Sequence, residues 1–337
     1  MVQPVVSVLM PVLNEEKSVE EAVTSVLGQR DVDLELLVID GRSVDRTAQI
    51  VREIAAREPR VRLLDNPEVI IPAALNVGLA AAEGEFVARV DGHASISGDY
   101  LARGIGHMRQ DEELAAVGGI RIGVSTTPSG RAVAMALSSP FGVGDSINHF
   151  GTHFQLTDHA SFGVYRTAVA REVGGWDENL LVNEDVDFDH RILGAGHRIA
   201  FDPEMHIYWH VRESAGALLR QYRRYGRGKA AMARKNGPSA IRPRHLAAPV
   251  AVVGTAALGL LALRYPRLAA VGYSPYLLGV SAASALAWRD RGTEKVDLLS
   301  LPLSFMAMHY GWGLGFLEGY VLGRTPQRAS GNSRTAG

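Results

Sequence analysis

Short apolar runs that stop at a polar or turn-forming residue alternate with helical spacing through the N-terminal part of this chain. Val5–Met10 ends at Pro11, Leu34–Ile39 at Asp40 and Phe86–Val90 at Asp91, and Val61–Leu64 is a further run of the same kind. Such runs read as buried strands. Between the first two, Val19, Ala22, Val23, Val26 and Leu27 recur at helical spacing, with Glu15 and Glu16 expected in the first turn. Asp45 is the expected N-cap of a helix over Arg46–Ala56, and Pro72 the first helical position of one continuing through Ala73–Ala82. The alternation predicts an α/β fold with a mostly parallel sheet, right-handed crossovers and flanking helices.

A buried parallel strand delivers its last residues to the sheet edge where α/β proteins bind ligands. The run from Phe86 delivers Asp91-Gly92-His93 there. A carboxylate and an imidazole two residues apart suit a divalent cation held against a diphosphate, although Asp and Gly are also ordinary turn residues. Further on, Gly98–Arg109 reads as helix, Leu114–Ile122 as strand, Ser161–Tyr165 as strand and Arg198–Phe201 as strand. Residues 125–159, punctuated by Pro128, Gly130, Pro140, Gly142 and Gly144, read as a long irregular segment. Glu184-Asp185 should open a helix after the Gly174–Asn183 loop. The chain has neither a Gly-x-Gly-x-x-Gly nor a Walker loop, so a bound nucleotide would lack the usual phosphate cradle and call for a metal. Asp40 could then accept a hydrogen bond from a base N–H, and Asp185 could act as general base toward a hydroxyl.

A formal net charge of −1 gives no reason to expect nucleic acid as a partner, and the lack of cysteine excludes disulfides and thiolate metal sites. No secretory signal is expected at Met1–Met10. Hydropathy is unevenly spread. Residues 212–244 carry ten Lys or Arg against one acid, Glu213. Behind this basic segment come three apolar stretches, Ala247–Leu263, Leu268–Trp288 and Leu298–Leu322, the last interrupted by His309 and Glu318. They are expected to form about three transmembrane helices, with apolar core helices as the alternative. The positive-inside rule puts the basic segment in the cytoplasm, but three spans would leave Arg324, Arg328 and Arg334 outside. Gly311, Gly315, Gly319 and Gly323 form one small-residue stripe, and Glu318 should face a helix bundle or the interface. The expected domains are residues 1–236, a membrane domain over 247–323 and a disordered tail over 324–337.

In order along the chain, five motifs resemble glycosyltransferase family 2, the inverting GT-A nucleotide-sugar transferases. They are Pro11-Val12-Leu13-Asn14-Glu15-Glu16, Val38-Ile39-Asp40-Gly41-Arg42-Ser43-Val44-Asp45, Asp91-Gly92-His93 at the place of Asp-x-Asp, Glu184-Asp185 at the catalytic acidic pair, and Gln221-x-x-Arg224-Tyr225 at Gln-x-x-Arg-Trp. The resemblance covers roughly Val5–Lys229. Ser138–Gly144 and Tyr225–Lys229 also look like the membrane-attached succinoglycan branch, which builds exopolysaccharide on a lipid carrier.

This resemblance implies a GT-A domain and an inverting, hexosyltransferase-type transfer from a nucleotide-diphospho-sugar, a UDP-sugar foremost. The acceptor is a hydroxyl of a lipid-linked saccharide, the setting exopolysaccharide or cell-envelope glycan synthesis at the inner membrane, with the catalytic domain cytoplasmic. Catalysis falls to Asp185 and Glu184. Donor binding falls to Pro11, Asn14, Glu15, Asp40, Asn76, Asp91, Gln221, Arg224 and Tyr225. Mg²⁺ or Mn²⁺ falls to Asp91, with His93 and His210 as further ligands or, for His210, a structural histidine. His93 in place of the second Asp keeps open an inactive nucleotide-sugar-binding scaffold. Tyr225 in place of Trp argues against a processive polymer synthase.

Overall fold

The computed structural model describes residues 4–290, 292, 293 and 295–326. Residues 327–337, most of the expected tail, lie outside them.

The N-terminal alternation forms as expected: β1 (Val6–Val12), α1 (Val19–Leu27), β2 (Leu34–Asp40), α2 (Thr47–Ala55), β3 (Val61–Asp65), α3 (Ile71–Ala81) and β4 (Phe86–Arg89). There follow β5 (Ala94–Ile96), α4 (Tyr100–Gln110), β6 (Leu114–Val124), α5 (Pro128–Leu137), α6 (Pro140–Val143), β7 (Gln155–Thr157), β8 (Val164–Arg166), α7 (Thr167–Glu172), α8 (Glu184–Gly194) and β9 (Arg198–His210). One sheet runs β3-β2-β1-β4-β8-β6-β9-β5, with β7 also on β9. Strands β1, β2, β3 and β4 pair in parallel; β8 runs against β4 and β6, and β5 and β7 run against β9. The sheet is therefore mixed, with β6 and β9 restored to the direction of β4. Strands β1 and β2 are buried almost throughout, as a sheet covered on both faces requires. One core cluster joins Val8, Met10, Val23 and Leu36 to α1 and α4; the other joins Leu9, Leu37, Leu75, Trp176 and Phe188 under α3 and α8.

Local differences have local causes. Glu15 and Glu16 precede α1 rather than open it. Arg46 is the N-cap of α2, but the Asp45 carboxylate still accepts the Thr47 amide at 2.9 Å. The segment expected to be irregular holds α5, because Pro128 starts that helix and the Thr127 hydroxyl accepts the Gly130 amide. Strand β9 continues past Asp202-Pro203, and its pairing with β6 skips from Asp202 to His206 to absorb them.

The C-terminal part adds α9 (Ala215–Asn236), α10 (Pro243–Ala262), α11 (Pro266–Arg289) and α12 (Ser300–Val321). Among the described residues, α10 alone is both long and apolar enough to cross a membrane. Helix α12 lies along α9. A Cβ on Gly311 would come within 2.6 Å of the Leu219 carbonyl oxygen, one on Gly319 within 2.7 Å of Ala230, and one on Gly315 would strike the Arg223 carbonyl. The glycine stripe is thus the seat of a close helix contact, and Glu318 pairs there with Arg223 and Arg227.

Candidate active site

The C-terminal ends of β1, β2 and β4 meet at one edge of the sheet. Register pairs Val12 with Asp40 and Leu9 with Arg89, which sets Asp40 and Asp91 on either side of the β1 end. The loops after β1 and β2 are laced together: Asn14 accepts the Val44 amide at 2.8 Å, Ser43 Oγ accepts the Asn14 amide at 2.9 Å, and Thr47 Oγ1 accepts the Glu15 amide at 2.7 Å. Asp40 accepts the Ser43 amide. Asn14 and Arg42 take left-handed backbone conformations in these two loops, an uncommon state for such residues. Gly92 is required by packing, since a Cβ there would lie 2.7 Å from Val12 Cγ1.

Asp91 is held by Arg89, whose Nε and Nη2 donate to its two oxygens at 2.8 and 3.2 Å. Arg89 Nη1 donates to Glu184 Oε1 at 3.0 Å. One buried guanidinium therefore ties the strand-end carboxylate to the acidic pair that opens α8. Burial opposes ionisation of Asp91, but Arg89 holds its carboxyl below the ordinary value. His93 Nδ1 is 3.1 Å from Glu15 Oε1, and that contact raises the imidazole above its ordinary value.

The adjacent carboxyls of α8 diverge. Glu184 is buried, and burial and the Asp185 charge push it up. The Asp185 side chain is 37% exposed. Burial works against its charge too, yet His159 and Arg89 hold it below the ordinary carboxylate value. His159 Nε2 lies 3.9 Å from Asp185, while its Nδ1 contacts the fully buried Asp189 at 2.6 Å. Environments that push two neighbouring carboxyls apart are how proteins assign acid and base roles. Here Asp185 is the accessible member and the one whose carboxyl is held down.

Helix α9 closes the site. Asn183, in a left-handed conformation just before α8, donates to the Tyr225 carbonyl at 3.3 Å, and Gln221 Nε2 donates to the Tyr225 hydroxyl at 2.9 Å. Arg224 is exposed and donates to the Leu181 carbonyl at 3.4 Å. His93 and His210 each stand one residue beyond the antiparallel Ala94–Trp209 pair. Among the described residues no three His, Asp or Glu side chains are arranged to hold a metal ion. Asn76 is engaged elsewhere: its amide donates to the Trp176 carbonyl and Glu178 and accepts the Trp176 amide, fixing the Gly174–Glu178 loop to α3.

Sequence reasoning missed Arg89, Arg121 and His159. Arg121, on β6, stacks 4.3 Å over Trp209, and its buried Nε has no hydrogen-bond partner among the described residues. A charge inside an apolar strand, such as Arg89 between Ala88 and Val90, was the available signal for the first. His159 lay in the segment read as irregular and gave none.

An α/β sheet of this order, with carboxylates gathered at its strand ends and at the head of α8, has the GT-A-like fold. Residues 7–174 match the family model "Glycosyl transferase family 2", and the chain belongs to that family. The succinoglycan biosynthesis protein ExoA of Rhizobium meliloti is 29% identical over 92% of this chain and 93% of its own, which places the chain on the exopolysaccharide-type branch. The glycosyltransferase AglE of Haloferax volcanii is 26% identical over 67% of this chain and 73% of its own. Among solved structures, the mannosyltransferase PcManGT from Pyrobaculum calidifontis, in complex with GDP-Man and Mn²⁺, is similar over 91% of this chain and 86% of its own, with TM-score 0.62 and 23% identity.

Proposed function

We propose that the chain is an inverting, membrane-attached glycosyltransferase. It moves a hexose from a nucleotide-diphospho-sugar, a UDP-sugar foremost, to a hydroxyl of a lipid-linked saccharide in exopolysaccharide or cell-envelope glycan synthesis. The observation that carries the reading is the state of Asp185: accessible, ionised through His159 and Arg89, and joined through Arg89 and Glu184 to Asp91.

The chemistry is a single displacement. The acceptor hydroxyl gives its proton to an Asp185 oxygen as its own oxygen bonds to the anomeric carbon. The bond from that carbon to the diphosphate oxygen breaks on the opposite face, and the electron pair leaves with the diphosphate. Arg121, with an unpartnered Nε, and the exposed Arg224 are the cations on hand for that charge. Asp40 accepts a hydrogen bond from the base in this reading. Asp91 would be the hard oxygen ligand for a divalent ion, Mg²⁺ or Mn²⁺, with His93 and His210 as candidate further ligands, although no three such groups converge among the described residues. When bound, the ion supplies positive charge against the diphosphate.

Attachment to the cytoplasmic face of the inner membrane rests on α10 and α11, whose large apolar side chains are exposed, among them Val250, Leu260, Leu263, Leu268, Val271 and Leu278. The test is a panel of nucleotide-sugars offered to the full chain in membranes with lipid-linked acceptors. One donor should transfer with metal present, and the new linkage should have the opposite anomeric configuration to the donor. Retained configuration, or no transfer from any donor, would count against the reading; the second result fits the inactive scaffold.

A further inference from the structure

Lys229 lies one turn beyond Tyr225 on α9 and is 4% exposed. Among the described residues its ammonium has one hydrogen-bond partner, the Met232 thioether at 3.4 Å. A thioether is a weak acceptor, and a buried ammonium without an anion is unfavourable. Its wider surroundings make this worse. Burial, and after it the nearby Arg244 guanidinium, push Lys229 down to about 8; Asp158, Arg242 and Asp185 are also within reach of its charge.

Those groups locate the site. Arg242 is the N-cap of α10, and Arg244 follows inside its first turn. Both reach the same carboxylate, Asp158, at 3.0 and 3.2 Å, and Arg244 also holds the exposed Asp145. On the other side, Gly228 packs against Val182, where a Cβ would lie 2.8 Å from the valine Cβ, and Val182 is three residues before Asp185. Arg242 and Arg244 thus meet at Asp158 by the first turn of the apolar helix α10, and Lys229, buried on α9 beside the segment that leads into α8, feels their charge. Asp158 is shared by the two arginines, and the buried lysine has no carboxylate of its own.

We propose that Lys229, with Arg242 and Arg244, binds the phosphate through which the acceptor saccharide is joined to its lipid. The order of groups along such an acceptor matches the order along the protein: sugar hydroxyl at Asp185, phosphate at Lys229, lipid along α10. The inference rests on the transferase reading and narrows its acceptor to one with an anion directly after the sugar. An anionic phospholipid headgroup carries the same chemistry, so the test separates the two.

The probes are geranylgeranyl diphosphate and its uncharged alcohol, bound to the full chain in detergent with UDP saturating. The wild type should prefer the diphosphate by about tenfold or more, the worth of one charge-assisted hydrogen bond. Lys229→Met should reduce that preference to about threefold or less, Lys229→Arg should retain most of it, and UDP binding should stay unchanged in both. The melting temperature of Lys229→Met should equal or exceed that of the wild type, because a buried ammonium gives way to an apolar side chain of similar shape. A preference kept by Lys229→Met overturns the proposal. So does a fall in its melting temperature, which would make the lysine a packing residue. So does loss of binding to phosphatidylglycerol vesicles with the diphosphate preference intact, which would assign the cations to the membrane surface. Failure of the wild type to bind UDP or any other nucleoside diphosphate would instead contradict the transferase reading.

Discussion

At the scale of single residues, the site works by separating groups of the same kind. Glu184 and Asp185 are neighbours in sequence, yet one is buried against Arg89 and the other is left accessible beside His159. His159 is itself supported by Asp189 at 2.6 Å, and despite burial that contact raises it above its ordinary value. The sign of the pH dependence follows. A histidine raised in the folded state contributes stability that is fully present below its unfolded value, about 6.5, and is lost as pH rises through the raised value. The loss amounts to about 1.4 kcal/mol for each pKa unit of elevation. Melting temperatures taken from pH 6 to pH 9 should therefore fall further in the wild type than in His159→Gln. His93 is common to both proteins and cancels in the comparison. Parallel curves would mean that the His159–Asp189 contact carries no charge.

Among the elements, the pair α9–α12 binds the C-terminal helices to the catalytic domain. Successive turns meet in register: Gly311 with Leu219, Gly315 with Arg223, Gly319 with Arg227. Gly315→Leu should force the helices apart, at a cost of about 1–3 kcal/mol as for other overpacked contacts. It should also lower transfer, because the same helix carries Gln221, Arg224 and Tyr225 over the site. Gly323→Leu, at the end of the stripe but with nothing within 4 Å, should lose less through packing, although its left-handed backbone adds strain of its own. Thermal melts of both variants check this, and equal losses would contradict it. Much of this was legible in the sequence. The four-residue repeat of glycines announced a close helix contact, and the β-branched runs ending in Asp40 and Asp91 announced the sheet edge. The partner of the glycine stripe was not legible, because the basic α9 reads by composition as a solvated face. Helix α5 was hidden because Pro128 and Gly130, which read as breakers, serve as its first turn.

For the whole molecule, the parallel packing of α12 on α9 bears on how the chain meets the membrane. A helix carrying Arg220, Arg223, Arg224 and Arg227 is too costly to place in hydrocarbon, so the half of α12 alongside it belongs outside as well. We propose that α10, the one helix among the described residues long and apolar enough to cross, enters the bilayer together with the exposed apolar face of α11. Such a hairpin would return the chain to the side it left and keep Arg324 on the side of the basic segment, as the positive-inside rule favours and three spans would not. With no native cysteine, Arg324→Cys is a sole thiol. A membrane-impermeant maleimide should label it from the side of the catalytic domain; labelling from the opposite side would restore three spans. On the proposed reading, Asp185 is where the nucleotide-bound sugar and its membrane acceptor would meet. Asn keeps the size of Asp185 and much of its ability to favour a helix start, but it cannot take a proton. The most direct test is single-turnover transfer by the full chain in vesicles, wild type against Asp185→Asn, with donor Kd from calorimetry. The expected result is a rate about 10²–10⁴-fold lower with donor Kd unchanged. A variant that keeps a rate within about threefold of wild type, well short of the loss of a general base, would move the proton to another carboxylate and contradict the account.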